Sequence, residues 1–336
     1  TDDLTVDNIK EMSKKIQKLF EEKTTVNFVN ENLQLHLLSD PETYKGDDYQ
    51  HFSSGDSFID TVSGGGYWPG SLWVWIGAPK AGKSRLMENL CVDAFRQGYD
   101  TAYVSFELTA TAISHCISSN FFDFEMLNWK DNKFADEKNA KLVDDYVKSH
   151  PDAPEASILE FPQSSLTVHE LENYLLTQEK MISEKKGREF HFRVIYLDYL
   201  NILNADMDSE NTYLTVKQIT SDLKSIAQKH GWCIVSATQP KAQYFQAETL
   251  DMNSVSESSA LQANVDMLWG IISTKTMEFE HCQYLKIILN RVESYKNVKQ
   301  KYFVDDSHMR LVKSDDAMVY ESGAEKNTKS GYRQSK

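Results

Sequence analysis

The stretch Leu72-Trp73-Val74-Trp75-Ile76-Gly77-Ala78-Pro79-Lys80-Ala81-Gly82-Lys83-Ser84 decides the fold. Its first five residues form an apolar run of strand length, and its last eight match G-x-x-x-x-G-K-[ST]. A helical pattern over residues 83–97 follows. That context matters because the amides of a glycine-rich turn and the positive end of the next helix together hold phosphate oxygens. Lys83 is therefore expected to reach the β and γ phosphates of ATP, and the Ser84 hydroxyl to ligate Mg2+. Gly77, Ala78, Pro79, Lys80, Ala81 and Gly82 supply the cradle. An eight-residue match can arise by chance, but the strand before it and the helix after it make that the weaker explanation.

Outward from this loop, apolar runs alternate with longer helical patterns. Residues 101–106, 192–197, 233–237, 267–272 and 284–289 read as further strands, and residues 109–122, 138–148, 167–184 and 212–230 as helices. The alternation predicts an α/β fold with a mostly parallel central sheet flanked by helices. Such sheets bind ligands at the carboxyl ends of their strands, where the next candidates fall. Asp198 ends Val194-Ile195-Tyr196-Leu197 and is placed to hold the metal's water shell; its plainer role is to cap a turn. Glu107 follows Val104-Ser105-Phe106 and can act as general base on an attacking water; alternatively it caps the helix beginning near Thr109. Gln239, after Ala237-Thr238, can hydrogen-bond the γ-phosphate, or simply turn the chain before Pro240.

The flanks are read more coarsely. Ile9, Met12, Ile16, Leu19 and Phe20 make one apolar stripe on a helix over residues 4–22, to be covered by its own domain or by a neighbouring subunit. Residues 39–70 carry Pro, Gly, Ser and Asp clusters and read as a connecting loop, with the core starting at Ser71. The expected division is a linker helix and loop over 1–60, an ATPase domain over 61–320 and a disordered polar tail over 321–336. The chain opens on Thr1 instead of Met, which points to processing or a trimmed start.

Composition removes several classes. Four cysteines lie far apart with no C-x-x-C pair, reading as reduced thiols of a cytoplasmic protein and not as a zinc site. No run of about 18 apolar residues suggests a membrane span. With 36 basic against 50 acidic residues, the net charge of -14 argues against nucleic-acid binding by bulk electrostatics, so any such contact is local.

Taken together, the phosphate loop, Ser105-Phe106-Glu107-Leu108, Leu197-Asp198-Tyr199-Leu200, Ala237-Thr238-Gln239 and the late Asn290-Arg291 resemble the RecA-type motor domain of DnaB-family hexameric replicative helicases. The likeness is greatest to those of T-even-type phages and covers roughly residues 60–313. It extends to Phe161-Pro162, Glu257-Ser258-Ser259-Ala260 with Asp266, and residues 286–313. The resemblance implies ATP hydrolysis between subunits of a ring of about six, translocation on single-stranded DNA, and a primase or loader as further partner. If the chain is viral, its place is the host cytoplasm. Lys83 and Ser84 would bind phosphate and Mg2+, Asp198 support the metal, Glu107 serve as base, Gln239 sense the γ-phosphate, and Arg291 act as finger on a neighbour's ATP. A surface arginine beside Glu293 is the plainer reading of Arg291.

Two departures stand out. Leu289 occupies the position two before the finger where the family commonly has Lys, with Lys286 or Lys296 as candidate substitutes, and the family's separate N-terminal domain is not seen ahead of the linker helix. Central DNA loops are expected near residues 201–212 and 241–256. The first holds Asp206, Asp208 and Glu210 and no basic residue; the second offers Lys241 with Tyr244 and Phe245 as stacking groups. A RecA-type recombinase filament or a non-unwinding ATP-dependent assembly factor are the competing functions.

Overall fold

The computed structural model describes residues 50–126, 133–205, 212–255 and 258–321, all within the compact unit Tyr49–Lys336. The apolar stripe of residues 4–22, the acidic Asp206, Asp208 and Glu210, Glu257 and the tail from residue 322 lie outside the described residues.

The expected α/β fold is present. Helix α1 (Ser57–Ser63) leads into β1 (Leu72–Gly77) and α2 (Lys83–Arg96), then β2 (Thr101–Ser105), α3 (Ala110–Phe122), α4 (Lys133–Ser149), β3 (Ala156–Glu160), α5 (Val168–Lys186) and β4 (Val194–Asp198). There follow α6 (Thr212–His230), β5 (Cys233–Thr238), α7 (Ser258–Asn264), β6 (Met267–Ile272), α8 (Lys275–Phe279), and the strands β7 (Cys282–Asn290), β8 (Val298–Asp305), β9 (Arg310–Lys313) and β10 (Val319–Tyr320). The sheet runs β10-β8-β7-β6-β1-β5-β4-β2-β3, with β9 paired to β8. From β6 to β3 every pairing is parallel; β7 onward is antiparallel. Apart from the edge strand β3, the parallel strands are buried on both faces, as helices on two sides require. One apolar layer packs Val74, Ile76, Val104, Leu197 and Ile234 against α5 and α6, and the other packs Trp73, Trp75, Tyr103, Val235 and Trp269 against α1 and α2.

Register places the strand tips together. Ser105 lies opposite Asp198, Leu197 opposite Ser236, Ile76 opposite Thr238, and Gly77 opposite Ile271. Five loops therefore leave the same edge of the sheet, and side chains far apart in sequence converge there.

The structure departs from the expected elements at the short helices α7 and α8, which were not expected, and in four further places. Residues 57–63 are a helix, not part of a connecting loop, and the core begins before Ser71. The carboxylate of Asp56 accepts the amides of Phe58 and Ile59 at 2.9 Å, Gly64 ends the helix at φ 77°, and Phe58, Ile59 and Val62 are buried. Burial of about 2 kcal/mol per such side chain holds a helix too short to persist alone, and the helix runs through the boundary expected at residue 61. The glycine cluster after it obscured the short stripe. Those glycines are needed for another reason: a Cβ on Gly66 would lie 2.3 Å from the Phe52 carbonyl oxygen.

Strand β3 was not expected, because its half-buried residues lie on the sheet edge behind Pro151 and Pro154. Strands β8 to β10 were missed because β8 buries Val298, Gln300 and Tyr302 between Lys299 and Lys301, an alternation with little apolar content. Finally, Glu321 does not begin a free tail. Its carboxylate accepts from Lys286 Nζ at 2.6 Å, Lys299 Nζ at 2.7 Å and Thr249 Oγ1 at 2.6 Å.

All four cysteines are buried and free of disulfides. Among the described residues no helix is long and apolar enough to cross a membrane.

Candidate functional site

The carboxyl edge of the parallel strands opens into a cleft of about 620 Å³ lined by residues 79–85, Glu88, Glu107, Asp198, Tyr199 and Gln239. Its floor is the loop between β1 and α2. Gly82 closes that loop at φ 85°, a conformation costly to any residue with a Cβ, and forms the N-cap of α2. No side chain caps α2 there, so the amides of its first turn and the positive end of its dipole face the cleft. Lys80 at the apex also sits in the left-handed region, at φ 65°, which costs a non-glycine residue roughly 1 kcal/mol.

Lys83, on the first turn of α2, donates to the carbonyls of Gly77 and Ala78 at 3.1 Å each. Burial lowers its pKa, against the opposing pull of Asp198 and Glu107. Asp198 is almost wholly buried at the tip of β4 and accepts from the Tyr103 hydroxyl at 3.2 Å and from the Ser84 hydroxyl. Burial raises its pKa, while those hydrogen bonds and Lys83 oppose the rise. Ser84 and Asp198 thus present two hard oxygen donors side by side. Among the described residues no three His, Cys, Asp or Glu side chains gather as a metal cage. The pair fits Mg2+, which takes one or two protein oxygens and leans on phosphate and water for the rest.

Glu107 is exposed at the rim, with its pKa raised by burial first and by Asp198 second, and lowered by Lys83. It does not cap the following helix. Thr109 Oγ1 accepts the Ala112 amide at 3.3 Å, and Glu160 accepts the Ala110 amide at 2.7 Å. Gln239, half-buried just beyond β5, lines the same cleft. Lys83, Ser84, Glu107, Asp198 and Gln239 are therefore brought together from four strand ends.

Arg291 is not among them. Asn290 pairs with Met267, the first residue of β6, which puts Arg291 at the opposite edge of the sheet. At roughly 3.3 Å per strand residue, the length of β6 separates it from its own phosphate loop by more than about 15 Å. Its guanidinium is exposed and donates to the carbonyls of Gln262 and Ala263. Leu289 packs half-buried against the core. Lys286 cannot replace a charge there, because it is 2% exposed and held by Glu321; Lys296 is exposed in the loop after Arg291.

The segment beyond Gln239 is a closed loop. Pro240 bridges Val255, and Lys241 Nζ donates to the Asn253 carbonyl at 2.9 Å. Tyr244 and Phe245 are half-buried against the two core layers, which leaves their rings less free to stack than expected.

Several lining residues were not anticipated. Glu88 lies one helical turn after Ser84 and faces the same cleft; burial and then Asp198 raise its carboxyl to about 7. Four-residue spacing on α2 was the signal that could have found it. Tyr103 lies beneath the cleft, fully buried against Asp198, and as the residue two before Ser105 on the same face of β2 it was detectable by strand alternation. Arg85, which pairs with Asp306 at 2.7 Å, and Met309 of the β8–β9 turn form the outer wall, and they had no local sequence signal.

Comparison with known proteins bears on the family and the fold. The family described as the DnaB-like helicase C-terminal domain matches residues 53–303. A DnaB-like replicative helicase of Enterobacteria phage T4 is 24% identical over 238 residues, 69% of this chain and 48% of that protein. The chain thus spans about half the length of that relative. Among solved structures, one ATPase domain superposes with a TM-score of 0.64 at 14% identity, covering 94% of this chain and 100% of that one. A DnaB-like replicative helicase studied with its interactions with primase gives 0.63 at 15% identity, covering 93% and 67%. At these identities the likeness to both structures is one of fold, the RecA-like α/β ATPase fold.

Proposed function

The chain belongs to the family of the DnaB-like helicase C-terminal domain, and on that footing we propose that it is an ATP-hydrolysing motor that moves on single-stranded DNA and unwinds duplex. The observation that carries the proposal is the convergence of Lys83, Ser84, Asp198, Glu107 and Gln239 on one cleft at the strand tips.

Each residue's part follows from its place. The amides after Gly82 and the Lys83 ammonium hold the triphosphate, with Lys83 exchanging its carbonyl partners for phosphate oxygens. Ser84 and Asp198 would hold Mg2+, which would supply positive charge against the triphosphate. Asp198 keeps its orientation through Tyr103. Glu107 accepts the proton of the attacking water, and its raised pKa suits a base that takes a proton and later returns it. Gln239 hydrogen-bonds the terminal phosphate and links it to the loop over 241–255.

Arg291 completes a neighbour's site. Its position at the far edge of the sheet rules out service to its own cleft and suits a head-to-tail ring of about six protomers, in which each amino edge meets the next carboxyl edge. DNA contact is assigned to the central loops, with Lys241 as the basic group and each protomer adding a small share. Primase or a loader is the expected further partner, and the residues before Tyr49 and after Glu321 are proposed as the segments that meet it. A recombinase or a pure assembly factor is not favoured by the family match.

A forked DNA duplex with a labelled strand tests this reading. Strand release should require both ATP and Mg2+ and be lost in Lys83→Ala. ATP turnover without strand separation at any protein concentration would count for the assembly factor instead.

A further inference from the structure

Lys80 has no part in the roles assigned above beyond its backbone amide. We propose that its ammonium is a second phosphate-facing cation, supplied within the protomer and directed at the terminal phosphate. The inference rests on the reading of the cleft as an ATP site.

Three observations converge on it. Lys80 lines the cleft together with Glu107 and Gln239, the two groups that frame the terminal phosphate, and its side chain is exposed. Among the described residues it has no ion-pair partner. A lysine is a compact charge on a flexible four-carbon stem, so from the apex of the loop it can follow a phosphate across the cleft.

Its backbone is held at φ 65°. Glycine would relax that strain, and the loop already uses Gly77 and Gly82 where shape alone matters. Strain retained at such a place points to the side chain as the reason for it.

The cleft is also short of positive charge. Glu88, Glu107 and Asp198 all line it, whereas Arg85 is occupied by Asp306. Lys80 adds positive charge to the cleft from within its own protomer.

The test is equilibrium binding of Mg-ATPγS and Mg-ADP, by titration calorimetry, to the wild type and to Lys80→Ala, Lys80→Gly and Lys80→Arg. A charged hydrogen bond to the terminal phosphate predicts about tenfold or greater loss of ATPγS affinity in the Ala and Gly variants. ADP affinity should change less than about twofold, and Lys80→Arg should recover most of the loss. Melting of each unliganded variant with the wild type confirms that the fold is kept. If Lys80→Gly binds ATPγS as well as the wild type does, the lysine serves only the loop and the proposal fails. Equal losses for ADP and ATPγS would remove the terminal phosphate as its target. A wild type that binds neither nucleotide would overturn the ATP-site reading itself, a result distinct from either of these.

Discussion

Replacing Glu321 with Ala should destabilise the domain far more than replacing its buried partner Lys286 with Met. Lys286 is 2% exposed, and its ammonium has two partners, Glu321 Oε2 at 2.6 Å and Thr249 Oγ1 at 2.7 Å. Removing the carboxylate leaves a buried cation with one neutral partner. Breaking a buried pair in this way typically costs about 3–5 kcal/mol. Glu321 keeps 22% of its side chain exposed, so solvent already screens part of the attraction and the lower end, about 3 kcal/mol, applies. In a domain of this size that corresponds to a fall in Tm of roughly 6 °C or more. Lys286→Met instead leaves Glu321 paired with Lys299 and Thr249 and fills the same volume, so its cost should stay within about 1 kcal/mol. The double variant should regain most of what Glu321→Ala loses. Differential scanning calorimetry reads all three. The reasoning is refuted if Glu321→Ala melts within a degree of the wild type, or if Lys286→Met melts as low as Glu321→Ala.

Other outcomes follow from the cleft. Glu107→Gln should cut ATP turnover by about 10²- to 10⁴-fold while calorimetric binding of Mg-ATPγS stays near the wild-type value; unchanged turnover would remove the residue from the role of base. Tyr103→Phe deletes one of two hydroxyl donors to Asp198, so half-maximal ATPase should need several times more Mg2+; an unaltered requirement would mean that Tyr103 does not position the carboxylate. Burial raises Glu88 from 4.5 to about 7, so between those values the folded protein keeps a proton that the unfolded chain has released, and stability falls as pH rises through that window. The full shift corresponds to on the order of 3 kcal/mol. Glu88→Gln should flatten that part of the wild-type profile in urea titrations, and an identical slope in both proteins would contradict the assignment.

Legibility from the sequence followed the physics of each signal. The phosphate loop and the strand tips at Asp198 and Gln239 were readable because each couples a buried apolar run to a polar residue at its end, and the parallel sheet then dictates where those ends lie. Glu107 was readable for the same reason. Helix α1 was not, because its three buried apolar residues carry too little periodicity beside a glycine cluster, and only tertiary burial holds it. Strands β8 to β10 escaped because they bury Gln300 between half-buried Lys299 and Lys301, so hydrophobic contrast is missing. For the same reason the outer wall of the cleft, Arg85 with Asp306 and Met309, had no local signature; it exists only through the long-range pairing of the β8–β9 hairpin with α2. The Lys286–Glu321 pair shows the limit most plainly, since a charged residue in an apolar strand and another at the head of a polar segment say nothing of each other until the sheet is built.

Sharing of each nucleotide between two protomers is tested most directly by mixing two variants. Lys83→Ala lacks the phosphate-binding lysine, and Arg291→Ala lacks the group at the far edge of the sheet. ATP hydrolysis is measured for each alone and for the two assembled together. Recovery of turnover well above the sum of the separate rates is predicted, because some interfaces then pair an intact cleft with an intact arginine. A mixture no more active than its parts, or full activity of Arg291→Ala alone, would contradict a site built across the protomer boundary.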